Sequence, residues 1–153
     1  NRLAMTEALR HEYLLYKRSG IRFALIILDV DHFKQVNDSY GHNTGDLVLQ
    51  HIATLLTQSI RETDFVARFG GEEFIVLLPD TDDTAITVAE KIRTNIADSK
   101  FPEVKQITVS LGVAIADPQD HSEDDLIQRA DIALYQAKNT GRNKTLLAEP
   151  PSK

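Results

Sequence analysis

Apolar residues recur along this chain in two rhythms, one helical and one strand-like, and their order predicts the fold. Met5, Leu9, Tyr13 and Tyr16 fall on one stripe of a helix over residues 2–18, which Ser19-Gly20 stops. Residues 21–29 form a nearly continuous apolar run, the pattern of a strand buried on both faces. Residues 31–45 lack such a period and are rich in Asn, Asp, Ser and Gly; a short helix around 33–40 and a turn through 41–45 are expected. Val48, Ile52, Leu55 and Leu56 then share the buried stripe of a helix over 45–61. Two runs of β-branched and aromatic residues, 64–69 and 74–78, are separated by Gly70-Gly71. This reads as a hairpin, because glycine reaches positive φ without steric cost. After a turn at 79–83, Ala85, Val88, Ala89, Ile92 and Ile96 repeat at helical spacing. Residues 105–116 alternate cleanly, with Ile107, Val109, Leu111, Val113 and Ile115 on one face of a long strand. A last helix over 123–138 turns Leu126, Ala130, Ala133, Leu134 and Ala137 inward; Gly141 ends it, and 145–147 can add a short edge strand. Strands joined by one hairpin and otherwise by helices predict an α+β domain with a central mixed, largely antiparallel sheet.

Composition narrows the function. A length of 153 residues suits one domain, over residues 1–148, followed by a tail at 149–153. No run of ~18 apolar residues is present to span a membrane. The absence of cysteine excludes disulfides, thiolate zinc sites and cysteine nucleophiles, and fits a cytoplasmic location. A net charge of −6 argues against a broad nucleic-acid surface, though a nucleotide can still bind where a cation and a few local Lys or Arg offset the acids. The five histidines show no metal-ligand spacing, and His42, in apparent turn chemistry, is expected to make a structural hydrogen bond.

The acids are less ordinary. The run at 21–29 ends in Asp29-Val30-Asp31, and a carboxylate at the end of a buried strand is costly unless a cation or donors meet it. Glu72 and Glu73 open the second hairpin strand, where pleating is expected to send them to opposite faces. They can be the solvated tip of a hairpin. They can also serve a bulky anionic ligand that approaches the bare Gly70-Gly71 backbone, with Asp29 and Glu72 sharing a magnesium ion.

Four separated motifs then carry a family resemblance: Leu28 to Asp38, reading Leu-Asp-Val-Asp-His-Phe-Lys-Gln-Val-Asn-Asp; Gly41-His42 with Gly45-Asp46; Arg68-Phe69-Gly70-Gly71-Glu72-Glu73-Phe74; and Ala133 to Lys138 with Gly141-Arg142-Asn143. In this order they resemble a GGDEF-domain diguanylate cyclase, in the Gly-Gly-Glu-Glu-Phe form of the signature. Of the family's usual opening stretch only Asn1-Arg2 is present, so a catalytic domain excised from a longer protein is expected, with an upstream sensory or regulatory region that could anchor the whole to a membrane.

The resemblance implies a cyclase and polymerase palm-like architecture of about five strands. It implies condensation of two GTP into cyclic di-GMP with release of pyrophosphate, two Mg²⁺ or Mn²⁺ ions per GTP-loaded site, and a homodimer of half-sites. Asp29, Glu72 and the Val30 carbonyl match the metal ligands. Glu73 matches the group assisting 3′-hydroxyl deprotonation, directly or through the metal. Phe33 and Lys34 offer backbone N–H groups to phosphate at a helix start. Lys138 and Arg142 match a pair reaching the β and γ phosphates, although both also suit the dipole of a helix end. Asn37 and Asp46 match the guanine-reading pair; the alternative for Asp46 is a favourable charge in the first turn of its helix. Arg61 and Asp64 are a surface ion pair at a helix end or, as in the family, a product-inhibition site, with Lys91 or Arg93 as the second basic partner. A non-catalytic receptor for GTP or cyclic di-GMP is the alternative reading, against which the intact acids argue.

Overall fold

The computed structural model describes residues 1–152. A five-stranded sheet runs in the order β2-β3-β1-β4-β5, where β1 is Ala24–Val30, β2 Phe65–Arg68, β3 Glu73–Leu78, β4 Val109–Ile115 and β5 Thr145–Leu147. All neighbours are antiparallel except β4 and β5. The helices are α1 (Arg2–Ser19), α2 (Phe33–Tyr40), α3 (His42–Ser59), α4 (Thr84–Asp98) and α5 (Glu123–Asn139).

Two cores explain the sequence pattern. Alternate residues of β1, Ala24, Ile26, Leu28 and Val30, pack with α2, α3 and α4, while Leu25 and Ile27 pack with α1 and α5. Every residue of β1 is buried for this reason, and a strand buried on both faces has no polar alternation to show. The stripe expected of α1, Met5, Leu9, Tyr13 and Tyr16, is the set its second-face core buries. Asn1 caps that helix by accepting from Ala4 N–H at 2.9 Å. Gly112 is where β4 meets α5 at van der Waals limit: a Cβ there would overlap the Ala130 carbonyl oxygen.

Three expectations about elements need correction. The helix expected over 45–61 begins at His42, so residues 42–45 are helical rather than a turn, and only Gly41 (φ 89) separates it from α2. Asp46 therefore lies beyond the first turn, and the helix-end alternative for it falls away. His42 is simply the exposed first residue of α3. The strand expected over 105–116 is ordered as a ladder only from Val109, which pairs with Val30. Upstream of it β1 has already turned into α2, so residues 105–107 have no partner, although Ile107 keeps its inward place. The first strand starts at Ala24, not 21, and Ile21 is exposed.

Candidate active site

The acids meet at one end of β1. Asp29 is opposite Glu73 in the β1–β3 register and opposite Ser110 in β4, so all three belong to the α5 face of the sheet. The acids thus lie beside the central strand, with β2 forming the edge beyond them. Glu72 does not follow the pleat to the opposite face as expected. It sits in the bend before β3, where its carbonyl accepts from Val30 N–H at 3.3 Å, and freed from the strand its carboxyl reaches Asp29. Both glutamates therefore feel the same aspartate.

The electrostatics are strained. Burial pushes the Glu72 carboxyl above its ordinary pKa; the Asp29 charge and a hydrogen bond between the two carboxyls push the same way, against Lys138. Glu73 is also raised, first by burial, then by Asp131 and Asp29, with Lys138 and Arg2 opposing. Lys138 is the cation that meets Asp29, donating from Nζ to Oδ2 at 2.6 Å. The lysine expected at the phosphates thus neutralises an acid here. Asp131, one α5 residue that sequence reasoning passed over, is itself raised by burial and is the largest charge acting on Glu73. Its position two turns before Lys138 on the same helix was the available signal.

Among the described residues no cluster of three or more metal-type side chains exists. Two carboxyls close enough to share a proton still fit a divalent cation, whose charge would relieve their repulsion. The rest of an octahedral shell would come from the Val30 carbonyl, water and a bound phosphate, the usual manner of Mg²⁺.

Around this centre stand the other expected groups. α2 begins at Phe33 with no side-chain cap, after His32 in a left-handed conformation (φ 56). The first accepted amides are those of Gln35 and Val36, so the N–H groups of Phe33 and Lys34 point out of the helix start unclaimed, a ready anion site. Asn37 and α3 are pressed together: a Cβ at Gly45 would collide with Asn37 Oδ1. Gly45 is thus what lets Asn37 pack against α3 at the residue before the exposed Asp46. The hairpin turn is drawn in by Arg68, whose Nε donates to the carbonyls of Gly70 and Gly71. Arg142 lies past the end of α5 in a left-handed conformation (φ 61) and is exposed.

On another face, at the end of β3, Arg61 follows α3 rather than ending it. Its guanidinium holds Asp64 through two bonds (3.2 and 2.8 Å) and donates to the Pro79 carbonyl and Thr81 Oγ1. Arg61, Asp64 and Thr81 line a cavity of about 370 Å³ that also includes Thr84, Thr87 and Lys91. Arg93 is elsewhere, held by Glu90 and Asn143, so of the two basic candidates only Lys91 shares the cavity.

With the geometry in place, likeness to known proteins becomes decisive. The family described as diguanylate cyclase, GGDEF domain, matches residues 1–144. The chain belongs to the GGDEF family. It is 46% identical over 127 residues to the diguanylate cyclase DgcM of Escherichia coli (strain K12), covering 82% of this chain and 31% of that protein. It is 42% identical over 152 residues to the diguanylate cyclase DgcP of Pseudomonas aeruginosa, covering 97% of this chain and 22% of that one. The chain thus spans under a third of either relative. Its fold is similar to the active GGEEF domain of a diguanylate cyclase from Vibrio cholerae, with a TM-score of 0.94 at 37% identity over 99% of this chain and 98% of that one. It is also similar to the GGDEF domain of DgcB from Caulobacter crescentus in complex with c-di-GMP, with a TM-score of 0.91 at 35% identity over 98% and 91% of the two chains.

Proposed function

We propose that this GGDEF domain condenses two GTP molecules into cyclic di-GMP, releasing two pyrophosphates. The observation that carries the reading is the convergence of Asp29, Glu72 and Glu73 beside the uncapped start of α2. A divalent cation, Mg²⁺ or Mn²⁺, two to a GTP-loaded site, would be held by Asp29, Glu72 and the Val30 carbonyl; bound, it supplies charge stabilisation at the phosphates.

The protein's own groups do the rest. The Phe33 and Lys34 amides take phosphate oxygens, and Arg142 and a Lys138 released from Asp29 take the outer phosphates. Asp46 accepts from guanine N1–H and N2–H₂ and Asn37 completes the base edge, so adenine would leave both groups unpaired. Glu73 accepts the 3′-hydroxyl proton as that oxygen attacks the α-phosphorus and the bond to pyrophosphate breaks. An acid raised by burial is a better base near neutral pH than an ordinary glutamate. One hairpin serves one GTP, whereas a cyclic product needs two facing each other, so the active form is a two-fold dimer.

Cyclic di-GMP would in turn bind the cavity of Arg61, Asp64 and Lys91 and hold half-sites apart. Arg61 is already fixed there, which spares ordering entropy, and its side chain remains about half exposed (55%) to meet a guanine edge or phosphate.

The test is incubation with GTP and Mg²⁺ and identification of the product by mass, with rates against protein concentration. Cyclic di-GMP, and specific activity rising with concentration, are expected; tight GTP binding without product would instead give the receptor reading. For the second site, Arg61→Ala should abolish non-competitive product inhibition while turnover persists. Unchanged product affinity by calorimetry would leave Arg61–Asp64 a surface ion pair.

A further inference from the structure

Of the two acids at the turn from β1 to α2, Asp31 has no part in the chemistry above, yet it is the more fully satisfied. It is 6% exposed. Its Oδ1 accepts from Ser110 Oγ at 2.7 Å, and its Oδ2 from Thr108 Oγ1 at 2.7 Å and from the Asn143 backbone N–H at 3.0 Å. Its own N–H donates to the Thr108 carbonyl at 2.9 Å. Three neutral donors leave this carboxylate little capacity for a cation.

What it holds is unusual. Gly141, Arg142 and Asn143 have consecutive positive φ values of 118, 61 and 47, and two of these residues carry a Cβ that opposes the conformation. Such a turn persists only where its surroundings over-determine it. Arg142 N–H returns to the Ala137 carbonyl at 3.0 Å, Asn143 N–H goes to Asp31, and Asn143 Oδ1 accepts from Arg93 at 3.0 Å. Asp31 is the one charged acceptor in that set, and it stands two residues from Asp29.

We infer that Asp31 is a positioning residue that fixes the Gly141–Asn143 turn to the end of β1 and so sets where Arg142 meets the triphosphate of the substrate. This rests on the reading of Arg142 as a phosphate ligand. The carboxylate links the strand that carries Asp29 to the turn that carries the outer-phosphate cation, so one end of GTP is placed relative to the other through it.

The experiment compares 3′-deoxy-GTP, which lacks the attacking hydroxyl, with GMP, which lacks the outer phosphates. Binding of each is measured by calorimetry with Mg²⁺ on wild type, Asp31→Asn, Arg142→Ala and the double variant. Asp31→Asn keeps the size but turns a donor towards Asn143 N–H. It should weaken 3′-deoxy-GTP ~tenfold and leave GMP nearly unchanged, and should add nothing once Arg142 is gone, because residues acting through one another are non-additive. Equal loss of both nucleotides would make Asp31 merely structural and overturn the inference. A loss in Arg142→Ala with none in Asp31→Asn would overturn the positioning role alone. No loss in Arg142→Ala would overturn the phosphate reading and the inference with it. Should Asp31→Asn not fold, Thr108→Val withdraws one donor and poses the same question; a triphosphate-selective loss supports the inference, and an unselective one or none overturns it.

Discussion

Helix α5 carries two cation–acid pairs, one from its middle and one from its last turn, and they are built to opposite purposes. Near its middle, Arg129 grips Asp120 with two bonds (3.0 and 2.7 Å) and also donates to the carbonyls of Ile115 and Glu149. Asp120 is 3% exposed and accepts in addition from Asp117 N–H. Near its end, Lys138 reaches Asp29 through one bond of 2.6 Å, and the aspartate is crowded by two further acids raised above their ordinary pKa. The first pair is closed, with every oxygen assigned. The second is under-supplied with positive charge, and one flexible lysine holds it together until something more strongly cationic arrives. A short cation–acid distance therefore says little about role; the state of the acid's other neighbours says much.

Four changes test this contrast. The largest effect is expected from Glu73→Ala, which should lower kcat by at least ~10³-fold while GTP affinity changes only a few-fold, read from initial rates and calorimetry. Activity above a few per cent of wild type would remove the assigned role. Next, Arg129→Ala should cost about 3–5 kcal/mol in urea unfolding, because it strands a buried carboxylate, whereas Lys138→Ala should cost far less. Similar losses for the two would erase the difference between the two pairs on α5. Asp46→Ala should weaken GTP by ~10–100-fold and ATP hardly at all, since only guanine offers the paired donors.

The smallest effect is a gain. Glu72 and Glu73 have folded pKa values above their unfolded ones, so the folded state binds the extra protons and stability falls as pH rises through the raised values. Without metal, Glu72→Gln should then raise Tm near neutral pH by on the order of 1–3 °C, and the gain should vanish below about pH 4, where both states are protonated. Added Mg²⁺ should stabilise wild type more than the variant. A Tm difference independent of pH would mean that the acids are not in competition.

Much of this was legible in the chain. The buried stripes of α1 and α5 and the two-faced burial of β1 follow from spacing alone, and the hairpin from Gly70-Gly71 between β-formers. The N-terminus of α3 was not, because Gly41-His42-Asn43-Thr44-Gly45 has turn composition, and the close approach of Gly45 to Asn37 eight residues earlier is visible only in the folded chain. The end of β4 was misread because alternation persists where the ladder has no partner. At the site, the acids at 29, 72 and 73 stood out by their cost in buried strands. The parts of Asp31 and Asp131 did not, since each depends on elements about a hundred and about sixty residues away in the chain.

The contact of Gly112 with Ala130 adds a mechanical consequence. With a backbone touching a backbone at its middle, the Arg129–Asp120 pair beside that contact and Lys138 on Asp29 in its last turn, α5 is held down from its middle to its C-terminal end. A disturbance arriving at α1, which shares that face, finds little slack to deform the reaction centre from within. In the two-fold dimer proposed above, the quantity left free to vary would be where the domain sits relative to its partner, so information would enter as distance rather than as shape.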